Sequence, residues 1–213
     1  MIFTPKRKKI IAPTSIKICD HEITRVDHSK FLGIMIDDKL SWSFHINTIK
    51  NKIAKGIGVI YKARRLLSKK TLVTLYYSFV YPYLHYGVIA WGNTYQSYLD
   101  PLVKLQKRAI RIISSAKRNE HTEPLFFNLN LLPLAKIYIM NVQLFMFKYY
   151  HGLIPDVFGN MFITNAFVHD HFTRQHIKYH SPSWRLEIVR SSIRVQGVHY
   201  WNIMLTKSII CVL

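Results

Sequence analysis

The sequence is short of acid and nearly without cysteine. Eleven Asp+Glu stand against 30 Lys+Arg in 213 residues, a formal net charge of +19. Two cysteines, Cys19 and Cys211, cannot frame a disulfide scaffold or a cysteine zinc site, and they fit a reducing compartment. Glycine is sparse, and no glycine-rich phosphate loop is present. Gly56-Ile57-Gly58 lies inside a helical pattern instead of following a strand. A GxSxG element is missing, as is a cysteine with a base beside it in sequence. Asp37-Asp38 is the only adjacent acidic pair. Carboxylates that hold two metals must converge on sites about 3.5–4 Å apart. Neighbours on a strand point to opposite faces, so this pair reads as a strand-ending turn. The start, MIFTPKRKKII, has no long apolar core and does not read as a secretion signal. Nucleus or cytoplasm is therefore expected, and Pro5–Lys9 matches a short nuclear import patch.

What the chain does have is a full complement of core residues. Hydrophobic residues make up 49% and aromatics 14%, which excludes a disordered basic tail. The positive charge is concentrated. Lys50, Lys52, Lys55, Lys62, Arg64, Arg65, Lys69, Lys70, Lys104, Lys107, Arg108, Arg111, Lys117 and Arg118 face a single acid, Asp100, between Lys50 and Arg118. Solvated helix faces usually mix both signs. A one-sign segment points to a polyanion, with nucleic acid ahead of an acidic membrane or protein.

Between the basic clusters, Thr71–Leu99 carries no charge. Thr71–Trp91 is long enough to span a bilayer. Its Thr, Ser, Tyr and His side chains put a polar group at every turn, and Pro82 interrupts it. It reads as a buried helix pair and not as a membrane span.

The expected fold is mainly α: a helical bundle preceded by a small antiparallel β-sheet, with a less regular C-terminal tail. Ile16, Ile18, Ile23 and Val26 alternate with polar residues, and Lys30–Ile36 is a third apolar run closed by Asp37-Asp38. Ser41 or Ser43 is expected to cap a long helix with Ile46, Ile49, Ile53, Ile57, Ile60 and Leu67 on one stripe. Its Gly56 and Gly58 would let another element or a nucleic-acid backbone approach. Ser68 is expected to cap a helix that Pro82 ends or kinks. Asp100-Pro101 reads as a helix start. Leu132-Pro133 opens an apolar core helix that ends at His151-Gly152. Three parts follow: a β element over 1–40, a basic helical region over 41–118, and an apolar helix with a His- and Arg-rich region over 119–213. The late histidines His169, His171, His176 and His180, with Asp170 nearby, lack a cysteine and second-shell support. They read as surface or phosphate-contacting residues before a zinc site.

Several runs resemble the region after the catalytic palm in jockey-like non-LTR retrotransposon reverse transcriptases. These are Phe31-Leu32-Gly33-Ile34-Met35-Ile36-Asp37, Leu40-Ser41-Trp42 and His45-Ile46. Further on come Leu75-Tyr76-Tyr77-Ser78, Pro82, Tyr86-Gly87, Trp91-Gly92, Gln106-Lys107-Arg108-Ala109-Ile110-Arg111, His171-Phe172-Thr173-Arg174 and Gly197…Trp201-Asn202. The resemblance implies RNA-directed DNA polymerase ancestry, with Phe31, Leu32 and Gly33 matching the primer grip. The basic helices would be a thumb that tracks a template–primer duplex through phosphates, with Arg174 adding a contact. The family's Ala-Asp-Asp turn and its endonuclease domain would lie upstream. The chain is thus expected to be a severed, non-catalytic piece whose partners are RNA, DNA or their hybrid duplex, and a separate palm. No cofactor is expected here, although the intact family enzyme would use Mg. The family's usual Gly-Pro is Gly197-Val198 in this chain. A remnant with no retained activity is the alternative. A further likeness, to the small N-terminal helical piece of an AlkB-like protein, would imply a dioxygenase or methyltransferase. No iron-binding His-x-Asp…His set and no methyl-donor loop supports it.

Overall fold

A computed structural model describes residues 1–3, 15–19, 21–168, 175–181 and 183–210. The Pro5–Lys9 patch, His169, Asp170, His171, Arg174 and Cys211 lie outside them. The strands are β1 (Ser15–Ile18), β2 (His21–Thr24), β3 (His28–Phe31) and β4 (Ile34–Asp37). The helices are α1 (Ser43–Ala63), α2 (Lys69–Phe79), α3 (Tyr81–His85), α4 (Val88–Trp91) and α5 (Gln96–Ile113). They continue as α6 (Glu123–Asn128), α7 (Leu134–Tyr150), α8 (Asn165–Val168), α9 (Glu187–Arg190) and α10 (Ile193–Ile210). The protein is mainly helical, as the patterning predicts. Two compact units form: Met1–Gly87 with Thr94–Leu131, and Val88–Asn93 with Leu132–Leu213.

In the first unit the strands make two separate antiparallel ribbons, β1–β2 and β3–β4. Ile16, Ile18 and Ile23 are exposed, so their alternation marks strands without a buried face. The isoleucine stripe of α1 is buried from Ile46 to Ile60 and packs on α5 and α2. Leu67 lies beyond the helix end. Ser41 is not the N-cap residue, yet its hydroxyl accepts the Ser43 N–H, the first of α1, at 3.4 Å. The N-cap position is Trp42, in the left-handed region at φ 63°. The Asp37 carboxylate fastens the bend before the helix, accepting the N–H groups of Ser41 and Trp42 at 2.9 Å each.

A Cβ on Gly56 would stand 2.6 Å from the Phe79 carbonyl oxygen. That glycine therefore serves the close approach of α2, not of a nucleic acid. Ser68 caps α2, its hydroxyl accepting the Thr71 N–H at 3.3 Å, and α3 starts afresh around Pro82.

The start of α5 corrects the reading at Asp100-Pro101. The helix begins at Gln96, and Pro101 sits inside it. Proline there forfeits one backbone bond in the second turn. Gln96 Nε2 donates to the Asp100 carboxylate at 2.7 Å and braces that turn. Gln106 faces inward and donates to the Tyr76 hydroxyl at 2.8 Å, which satisfies two polar groups in an apolar interior.

In the second unit α7 ends at Gly152, at φ 65°, as expected of a glycine-terminated helix. It packs against α4 and α10. Met146, Phe162, Tyr179, Val198 and Trp201 form one buried core cluster. The helix α10 is a regular 18-residue element that weak periodicity hides. Gly197 lets α10 approach α7, since a Cβ there would lie 2.7 Å from the Met146 sulfur. Asn202 accepts the Tyr179 N–H at 3.2 Å and donates to the Tyr179 carbonyl at 2.9 Å. Gly197, Trp201 and Asn202 thus act as spacer, core and backbone clamp. Among the described residues no helix is long and apolar enough to cross a membrane.

Candidate nucleic-acid interface

The basic residues do not spread evenly over the first unit. Arg64 and Arg65, just past the end of α1, meet Lys104, Arg108 and Arg111 of α5 and Arg118 of the following loop. They line one groove of about 1000 Å³. Tyr61, Ile112, Ser115, Ala116 and Asn119 complete the lining, and no acidic side chain is part of it. The Arg64 guanidinium lies 4.2 Å from the centre of the Tyr61 ring. Arg111 is aimed by its Nε, which donates to the Glu120 carbonyl at 3.0 Å. The Glu120 carboxylate is turned to the Lys117 N–H instead. Unneutralised guanidinium groups in a concave wall focus a positive field and favour bidentate phosphate contacts.

Lys50, Lys52, Lys55, Lys62, Lys69, Lys70, Lys107 and Lys117 are not part of the groove lining. Lys52 instead sits 5.4 Å from the Tyr83 ring centre. A run of basic residues on one helix necessarily points in several directions, so the linear cluster overstates the face.

Phe31, Leu32 and Gly33 form the tip of the β3–β4 ribbon. Leu32 and Gly33 have φ of 46° and 84°, the positive pair of a tight type I′ hairpin turn. Phe31 and Leu32 are 63% and 74% exposed, so they are not core. The Tyr86 hydroxyl donates to the Leu32 carbonyl at 2.6 Å, and its ring lies 3.5 Å from where a Gly33 Cβ would be. Tyr86 and Tyr61 escape a reading based on charge. The aromatic residues adjoining each basic or glycine motif were the available signal.

His45 is buried beneath this ribbon, and its Nδ1 accepts the Met35 N–H at 3.3 Å. Burial, then the charge of Lys52, hold its pKa below the ordinary 6.5. For Asp37, burial acts to raise the pKa, but the hydrogen bonds from Ser41 and Trp42 outweigh it and the net shift is downward. The signs agree: in both cases the unfolded chain takes up a proton more readily. Stability from His45 is full above about pH 6.5 and declines as pH falls below it; that from Asp37 declines only below about pH 4. Melting temperature is therefore expected to drop between about pH 7 and 5. Replacing His45→Gln should flatten that segment of the curve, and an unchanged slope would refute the assignment.

His176 and His180 lie outside any helix and flank a bridge between Thr164 and Tyr179. His180 Nδ1 lies 3.3 Å from the Asn165 side-chain oxygen.

Two curated relatives match parts of the chain. The probable RNA-directed DNA polymerase from transposon X-element of Drosophila melanogaster is 25% identical over 118 residues, 54% of this chain and 13% of the relative. The RNA-directed DNA polymerase from mobile element jockey, also of Drosophila melanogaster, is 36% identical over 91 residues, 41% of this chain and 10% of the relative. Part of this chain is related to mobile-element RNA-directed DNA polymerases. It spans only about an eighth to a tenth of the length of these relatives. No family model and no solved structure matches it.

Among the described residues no three His, Cys, Asp or Glu side chains gather as a metal site. Both oxygens of the Asp37 carboxylate accept backbone N–H groups.

Proposed function

We propose that this chain is a non-catalytic region of a retrotransposon-type RNA-directed DNA polymerase that holds nucleic acid through phosphates, without reading sequence. The observation that carries the reading is the groove of six cationic side chains from two helices and a loop, with no acid in its lining. The relatives' polymerase names support an RNA–DNA hybrid as the duplex held. In this reading the hairpin tip at Phe31, Leu32 and Gly33 is a primer-grip-like element, and the first unit works as a thumb. Polymerisation and its Mg ions belong to a separate palm. Nucleus or cytoplasm is the proposed place of action.

Six phosphate contacts imply a slope of log affinity against log salt of about −5. Affinity for an RNA–DNA duplex should fall on the order of 10³-fold between 50 and 200 mM salt. Fluorescence anisotropy with duplexes of unrelated sequence tests this. Strong sequence dependence or a flat salt response would refute it. Liposomes of acidic lipid that outcompete the duplex would instead make the groove a membrane-facing surface.

A further inference from the structure

Gly58, two residues beyond Gly56, has no packing reason to be glycine. A Cβ there would meet no heavy atom within 4 Å, and the residue is exposed. Alanine suits a helix interior better than glycine does. Gly58 lines a small recess of about 110 Å³ together with Ala54, Ile57, Tyr61, Leu105 and Arg108. Tyr61 and Arg108 also line the cationic groove, so the recess adjoins it. The recess is apolar where α1 meets α5, and it has one guanidinium and one aromatic ring at hand. Such surroundings suit a flat, polarisable ring attached to an anionic backbone. An engineered cavity of about 150 Å³ lined by apolar side chains takes up benzene. A recess of about 110 Å³ open on one side therefore matches a single six-membered ring better than a fused bicyclic one.

We propose that this recess receives one unpaired pyrimidine base from a strand whose phosphates lie in the adjoining groove. The inference rests on the nucleic-acid reading of the groove and narrows it. The preferred ligand becomes a duplex with an unpaired end, not a blunt duplex. Gly58 keeps the slot open, Ala54 and Leu105 border the ring, and Arg108 serves both base and backbone.

The test compares the full chain's affinity for a blunt RNA–DNA duplex and for the same duplex with one unpaired thymidine or adenosine at an end. Thymidine should tighten binding roughly tenfold, and adenosine should do so less. Gly58→Val should abolish the gain while leaving blunt-duplex affinity and its salt slope unchanged. Gly58→Ala should melt at a higher temperature than the parent yet show a smaller gain, a divergence that a structural role would not produce. Equal affinity for blunt and overhanging duplexes, or a gain that survives Gly58→Val, would overturn this inference alone. Failure of the blunt duplex to bind in a salt-dependent way would overturn the reading of the groove as well.

Discussion

Reversing three charges in the groove, Arg64→Glu, Arg108→Glu and Arg111→Glu together, is expected to weaken duplex binding by at least about 100-fold near 0.1 M salt. Three of the six cations that line the groove are then lost, and the new carboxylates repel the phosphates they face. The more diagnostic change is in the salt dependence. With three contacts left, the slope should shrink to between about −2 and −3, and the loss from 50 to 200 mM salt to roughly 40-fold. A control keeps the net charge of the molecule the same. Lys50→Glu, Lys55→Glu and Lys69→Glu change as many charges on residues that do not line the groove. If affinity followed net charge alone, the two triple variants would behave alike. The groove reading requires the control to retain most of its salt slope. Circular dichroism should show both variants folded, because the six replaced side chains are not part of the buried core.

The second large effect concerns stability, and it sets two neighbouring glycines against each other. Gly56→Ala is expected to destabilise the first unit by about 2–3 kcal/mol, since the new methyl would stand 2.6 Å from the Phe79 carbonyl oxygen and 3.0 Å from its Cβ. Both atoms belong to the end of α2 or lie next to its backbone, so no side-chain rotation relieves the clash and two helices must part. That cost exceeds the roughly 1 kcal/mol that alanine gains over glycine in a helix. At Gly58 only the favourable term remains, because nothing lies near the added methyl. Gly58→Ala should therefore stabilise by about 0.5–1 kcal/mol. Urea midpoints of the two variants measure the pair. The same sign for both would mean that α1 and α2 do not pack as closely as Gly56 implies.

Much of the helical scaffold was legible because its signals are local. Ser68 before Thr71, Gly152 after Tyr150, and isoleucines at three- and four-residue steps in α1 each report on a few neighbouring residues. The failures have local causes too. Asp100-Pro101 is a sound helix-start pattern, but Gln96 reaches the same aspartate from one turn earlier and extends the helix. Asp37 fixes the bend before α1, where Trp42 is left-handed, and Ser41 meets the Ser43 N–H from one residue before the N-cap. In α10 the apolar residues run nearly all round, so no stripe stands out against Gly197 and Asn202. The candidate interface was legible as charge but not as shape. Arg64 and Arg108 are far apart in sequence and meet only because α1 packs on α5. Which lysines fall outside the groove depends on helix rotation that a net charge does not encode.

The segment Val88–Asn93 leaves the first unit, joins the second, and returns the chain to the first. Its Trp91 is completely buried, and its Gly92 is closed over by Tyr138, since a Cβ there would lie 2.8 Å from that ring. The chain therefore passes between the units three times, and no single break in it separates them. A protease cut, a premature stop or a recombination joint near Leu131 takes away α7 and α10 but leaves the tryptophan behind. The orphaned indole would then be an adhesive spot on the shortened product. The two units are thus tied by the path of the chain, and a break that removes α7 and α10 also uncovers Trp91 in what remains.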